Sequence, residues 1–221
     1  MTRSTKPSKT RRRQQPPAAH LLVLECQREK LAEQELDFGS RIATVLKTAY
    51  PDKRIASVPT SMYRDLGPTL AEVFVEYGCF RSILIVGHSN SAGIQLTNDV
   101  FLTWSGAGRW VAKFEPRVLF FAACEAGRSE MVRSLFEAIP TLREVYASPV
   151  RLYVEQTAPL AALIALFLEG PRIDSDTSSV IRTLNFAMTR GQIFRWTREE
   201  VGPGQEITNK MWDYVASLLQ F

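Results

Sequence analysis

The hydrophobic residues of this chain fall into two alternating patterns. Short, nearly continuous apolar runs read as strands: His20-Leu21-Leu22-Val23-Leu24-Glu25-Cys26, Ile55-Ala56-Ser57-Val58, Ser82-Ile83-Leu84-Ile85-Val86, Val118-Leu119-Phe120-Phe121-Ala122-Ala123 and Glu144-Val145-Tyr146-Ala147. Between them, apolar residues recur three or four apart. Arg41–Tyr50 carries Ile42, Val45, Leu46 and Ala49 at helical spacing, and Pro51-Asp52 ends it. Leu70–Tyr77 predicts a second helix, with Gly67-Pro68 at its start and Gly78 at its C-terminal cap. Trp104–Phe114 is helical in spacing, although Gly106 and Gly108 weaken it. Ser129–Ile139 sets Met131, Leu135, Phe136 and Ile139 on one face. Val154–Leu168, Val180–Thr189 and Ile207–Leu219 predict three further helices, and Gln27–Asp37 reads as a polar connection.

Strands that alternate with helices predict an α/β fold: a mainly parallel sheet flanked by helices in three layers. The runs lack strict apolar–polar alternation, as strands buried on both faces do. Residues 19–221 read as one such domain, with the third and fourth strands adjacent. Residues 1–18 read as a separate tail.

Composition adds three limits. No apolar run reaches the roughly 20 residues of a spanning helix, so no membrane is expected. The N-terminal charges have no apolar h-region behind them, and three cysteines make no disulfide framework, so the expected compartment is the cytoplasm. The net charge of +4 belongs to the tail. Arg3, Lys6, Lys9, Arg11, Arg12 and Arg13 lie there without an acid, and the remaining 21 basic residues face 23 acidic ones. Such a Ser/Thr/Pro/Gln-rich tail is expected to be disordered. Nucleic acid or an anionic surface is expected to be bound at most weakly, through the tail.

The candidate chemistry lies beyond two strand ends, where reactive groups gather in open parallel sheets. The third strand runs into Gly87-His88-Ser89-Asn90, the fourth into Cys124-Glu125-Ala126-Gly127. On adjacent strands, about 4.8 Å apart, the imidazole and the thiol come within reach of each other. A histidine can deprotonate a thiol, hold the thiolate as an ion pair, and later protonate a leaving amine. Each residue alone is more often a core or structural residue; the joint placement makes them a dyad. Cys26 and Cys79 have no histidine partner and read as inert.

A hydrophobic strand ending in Gly-His, followed after some tens of residues by one ending in Ala-Cys, resembles the caspase-like cysteine peptidases. Ile83-Leu84-Ile85-Val86-Gly87-His88 and Leu119-Phe120-Phe121-Ala122-Ala123-Cys124-Glu125-Ala126-Gly127 carry that resemblance, 36 residues apart from His88 to Cys124. The second run is similar to that of the legumain and CHAT branches. Gly93-Ile94-Gln95-Leu96 and the helix ending at Gly170 also resemble CHAT domains. The resemblance implies a caspase-like fold and a cysteine endopeptidase, with Cys124 as nucleophile and His88 as general acid/base. It further implies an oxyanion hole of the Ser89 and Cys124 backbone N–H groups. Ser89 stands where the family has Gly, and serine resists a positive φ if the turn needs one. A catalytically inactive caspase-like interaction module is therefore the alternative.

The substrate pocket is expected from Glu25, Arg28, Glu125 and Arg151. Glu25 or Glu125 would pair a basic P1 residue; Arg28 and Arg151 would instead fork onto an acidic one. A protein or peptide substrate is expected, with a regulatory protein or second copy as further partners. No metal or cofactor is expected, since there are only two histidines and no Cys-x-x-Cys. No phosphate-binding glycine loop follows a strand. A serine hydrolase on Gly87-His88-Ser89-Asn90-Ser91 is excluded, because no histidine follows His88. The face of Met211, Trp212, Val215 and Leu219 on the last helix is expected in the core or at an interface.

Overall fold

A computed structural model describes residues 19–26, 29–31, 34–36, 38–60, 66–96, 100–149, 157–169, 181, 185, 193–199 and 201. The tail, the helices expected over 180–189 and 207–219, Arg28 and Arg151 lie outside or almost wholly outside them.

The five apolar runs form one sheet. They are β1 (Ala19–Glu25), β4 (Ile55–Pro59), β5 (Phe80–Val86), β9 (Val118–Ala122) and β10 (Glu144–Ala147). The sheet order is β11-β10-β9-β5-β1-β4. All neighbours are parallel except β11 (Phe194–Thr197), which runs antiparallel to β10 on the edge. Two short antiparallel pieces complete the strands. β2 (Glu29–Leu31) pairs with β3 (Gln34–Leu36), and β6 (Ser89–Asn90), β7 (Gly93–Gln95) and β8 (Phe101–Thr103) form a small second sheet.

Helices cover both faces, and this splits the core in two. On one side Leu22, Leu24, Ile83, Ile85, Leu119 and Phe121 pack under α2 (Leu66–Tyr77), α3 (Trp104–Ala112) and α4 (Ser129–Ala138). On the other, Leu21, Val23, Leu84, Phe120 and Tyr146 meet α1 (Phe38–Ala49) and α5 (Thr157–Glu169). The period of two along each strand sends successive side chains to opposite layers, which is why these runs are apolar throughout. Gly108 belongs in α3 despite its poor helix propensity: a Cβ there would lie 2.7 Å from the Ala138 Cβ of α4. Val45, expected on the buried face of α1, is 64% exposed; Gly39, Ile42, Ala43 and Leu46 are buried instead. Among the described residues, no helix is long and apolar enough to cross a membrane.

Candidate active site

Two loops leave the sheet side by side. β5 and β9 are in register with Val86 opposite Ala122. His88 and Cys124 each stand two residues further on, at matching positions beyond the carboxyl ends of neighbouring strands. His88 is exposed and Cys124 half-buried. The loops are also tied directly, because the Ser89 hydroxyl donates to the Cys124 carbonyl oxygen.

The histidine loop is held by backbone contacts. Gly87 N–H donates to the Ala122 carbonyl at 3.2 Å, and Cys26 N–H to the Val86 carbonyl at 2.7 Å. Beyond His88 the chain turns back as β6 and β7. The Asn90 Oδ1 accepts from Ala92 N–H at 2.8 Å and closes that turn, while Trp104 Nε1 donates to the Asn90 carbonyl at 3.0 Å. Gln95 N–H donates to the His88 carbonyl at 2.9 Å. His88 and Gln95 are thus a hydrogen-bonded pair, and Ser89–Ile94 is the following non-hydrogen-bonded pair. The Ser89 N–H is turned away from β7. Ser89 also has no positive φ. The turn after His88 does not demand glycine, and serine keeps the amide an oxyanion hole uses.

The cysteine loop carries the strain instead. Glu125, directly after Cys124, sits at φ 58°, a left-handed conformation that costs a non-glycine residue about 1–2 kcal/mol. Such outliers collect at functional sites. The Glu125 carboxylate pairs with Arg128 at 3.0 Å, near solvent. Ala126 is buried, and Gly127 N–H donates to the Ser148 carbonyl beyond β10 at 2.8 Å. A Cβ at Gly127 would stand 2.8 Å from both the Pro149 nitrogen and the Ser148 carbonyl carbon. Only glycine lets this turn lie on the end of β10. α4 starts at Ser129, after this turn rather than at the cysteine.

The other expected site residues separate. Glu25 is at the end of β1 but fully buried. Its carboxylate accepts from Gly39 N–H and Ser40 N–H, both at 3.1 Å, and from the Ser40 hydroxyl at 2.9 Å. It caps the N-terminus of α1, whose own first turn holds no acid. Glu25 therefore faces a helix, whereas Glu125 is half-buried next to Cys124. Thr60 closes the same end of the sheet, its hydroxyl lying 3.0 Å from the Glu25 carbonyl and 2.6 Å from that of Leu96. The thiols of Cys26 and Cys79 are shifted against nucleophilic use. Burial pushes Cys26 up to about 12 and raises Cys79 as well.

No family model matches the sequence, and no curated protein does. Solved structures do match the fold. One is the X-ray structure of an inactive zymogen C11 protease from Parabacteroides distasonis, at a TM-score of 0.53 and 10% identity. The superposition covers 84% of this chain and 64% of that one. At that identity the likeness is one of fold alone: this chain has the caspase-like arrangement of a mostly parallel six-stranded sheet between helices.

Proposed function

We propose that this chain is a caspase-like cysteine endopeptidase with His88 and Cys124 as its dyad. The observation that carries the reading is their matched placement beyond the ends of the adjacent parallel strands β5 and β9. In the proposed reaction the Cys124 thiolate attacks the scissile carbonyl carbon, forming a C–S bond. The developing oxyanion is met by the N–H groups of Ser89 and Cys124. His88 passes the thiol proton to the departing amine as the C–N bond breaks. Water, deprotonated by His88, then hydrolyses the thioester and frees Cys124. The substrate is a protein or peptide. A basic P1 side chain pairs with Glu125, since Glu25 is committed to α1; acidic P1 recognition would fall to Arg28 and Arg151. The run around Cys124 resembles that of the CHAT and legumain branches.

The second reading, raised by Ser89 in the place of the family's glycine and weakened by the ordinary φ of Ser89, is an inactive caspase-like module that binds a partner. One experiment separates the two. The full chain is assayed on fluorogenic peptides with Arg, Lys, Asp, Asn or Leu at P1, and its thiols are labelled with an electrophile at neutral pH. The enzyme turns over Arg and Lys peptides and labels at Cys124; Cys124→Ala and His88→Ala abolish turnover but leave the fold intact. Undiminished turnover in Cys124→Ala refutes the dyad. A folded protein with an unreactive Cys124 and no turnover is the interaction module.

A further inference from the structure

The opposite end of the sheet carries a line of cations. Extending the strand pairings by one residue towards the strand starts places Arg54 beside His20, His20 beside Arg81, Arg81 beside Arg117, Arg117 beside Arg143, and Arg143 beside Arg198. The backbone ladder runs through these positions. His20 N–H donates to the Arg54 carbonyl, Arg117 to Arg81, Arg143 to Arg117 and Arg198 to Arg143, at 2.8–3.1 Å. Five arginines and one histidine thus form a single transverse row over all six strands. At about 4.8 Å per strand the row is about 24 Å long. It contains no acid.

The two ends of the row have local duties. Arg54 donates to the carbonyls of Glu76 and Tyr77 at the end of α2. Arg198 donates to those of Phe136, Ile139 and Leu142 after α4. The three central arginines do not. Arg81, Arg117 and Arg143 are exposed and make no ion pair among the described residues. Like charges directly opposite one another on neighbouring strands repel. Asp52, Glu76 and Glu115 stand at the same end, but Asp52 is paired with Lys53. The affinity of His20 for a proton is lowered first by burial and then by Lys53; Asp52 opposes them, and Arg81 and Arg54 add smaller lowering effects. Within the row no carboxylate stands among the guanidinium groups; Glu76 and Glu115 only flank it.

We propose that this edge is a docking surface for the phosphate backbone of a nucleic acid, held by Arg81, Arg117 and Arg143. A guanidinium fork suits phosphate oxygens. A straight row with an arginine on five of its six strands suits a polymer whose charges also repeat at a few ångströms. It suits an acidic loop of a protein less, because carboxylates there have no fixed linear repeat. Arginines that contact phosphates carry no base information, so the binding is expected to be independent of sequence. From Arg81 to His88 is seven residues, about 23 Å along β5, so a bound strand leaves the dyad end open. The inference stands apart from the peptidase reading.

The test is fluorescence anisotropy with a mixed-sequence single-stranded oligonucleotide and full-length protein, at salt from about 50 to 200 mM. The parent is expected to bind with steep salt dependence. Arg81→Gln/Arg117→Gln/Arg143→Gln is expected to weaken binding roughly tenfold or more at the low-salt end and to flatten the log–log salt slope by about 2, near 0.7 per phosphate contact. Arg117→Gln alone flattens it by about 0.7 and serves if the triple variant does not fold. Both are expected to melt at or above the parent's temperature, because repulsion is removed; a merely structural row would melt lower. Arg11→Ser/Arg12→Ser/Arg13→Ser also weakens binding. Row variants that bind like the parent overturn the assignment, leaving the tail as the sole contact. So does an absence of oligonucleotide binding at low salt, or tighter binding to polyglutamate or to phosphatidylserine vesicles than to the oligonucleotide.

Discussion

Glu25→Ala is the substitution that most sharply tests the arrangement around β1. The carboxylate is fully buried and serves three donors of α1. Its removal takes away a cap, a loss of about 0.5–2 kcal/mol in other helices. It also strands the Gly39 N–H in a buried position, which adds about 1–3 kcal/mol. Ser40 is half-buried, so water restores part of its hydrogen bonding. The expected loss is about 3–4 kcal/mol, read by urea denaturation, or a melting temperature lower by roughly 10 °C for a domain of this size. Glu25→Gln keeps one acceptor oxygen but turns an amide donor towards donors, and loses about 2 kcal/mol. Peptidase specificity is measured alongside. If Glu25→Ala melts within about 2 °C of the parent and loses its preference for Arg at P1, the carboxylate faces substrate and the capping assignment is wrong.

Three further outcomes are expected. Titrating the native protein with an electrophilic dye near pH 8 labels Cys124 but not Cys26, which reacts only on unfolding; rapid native labelling of Cys26 contradicts its burial. The Cys26 thiol ionises near 9 ordinarily and about 12 when folded, so the stability it confers is complete below pH 9 and declines towards pH 12. Alkaline melting curves of Cys26→Ala should show less of that decline. Gly127→Ala forces a Cβ against backbone on both sides, lowers stability by about 1–3 kcal/mol and depresses activity; a silent substitution would mean the turn does not lie on β10. Ser89→Pro removes the amide assigned to the oxyanion and lowers turnover about 10²–10³-fold, whereas Ser89→Gly retains most of it.

The parallel sheet was legible because both its faces are buried. Val118–Ala122 and Ser82–Val86 could not be solvated on either side, and their apolar runs announced it. The small antiparallel pieces gave no such signal. β2 and β3 carry Glu29, Lys30, Gln34 and Glu35 in three-residue strands, too short and polar for a period to emerge. β6–β8 sit among Asn90, Gly93 and Thr103, residues that also suit loops. β11 mixes Arg195 and Thr197 with Phe194 and Trp196 because it is an edge strand, and it was not foreseen. The placement of His88 and Cys124 beyond adjacent strand ends was readable for the same reason as the sheet: strand ends fix where the next two residues stand. Glu25 was not, since its partners lie 14 and 15 residues away and meet it only through the packing of α1 on β1. The doubt over Ser89 concerned a φ value, which no residue name discloses.

The register that matches His88 to Cys124 also sets when the two can meet. They are 36 residues apart in the chain, and between them lie the small sheet and α3. Pairing β5 with β9 must close that loop before a single ladder bond rewards it. The cysteine turn then needs β10, whose end holds Gly127. On a ribosome, the two loops can be set side by side only after the chain has passed Ser148, so a growing or locally opened polypeptide has both side chains without their juxtaposition. For the proposed dyad, assembly order would act as a timer, withholding the thiol–imidazole juxtaposition until the sheet that orients it has closed.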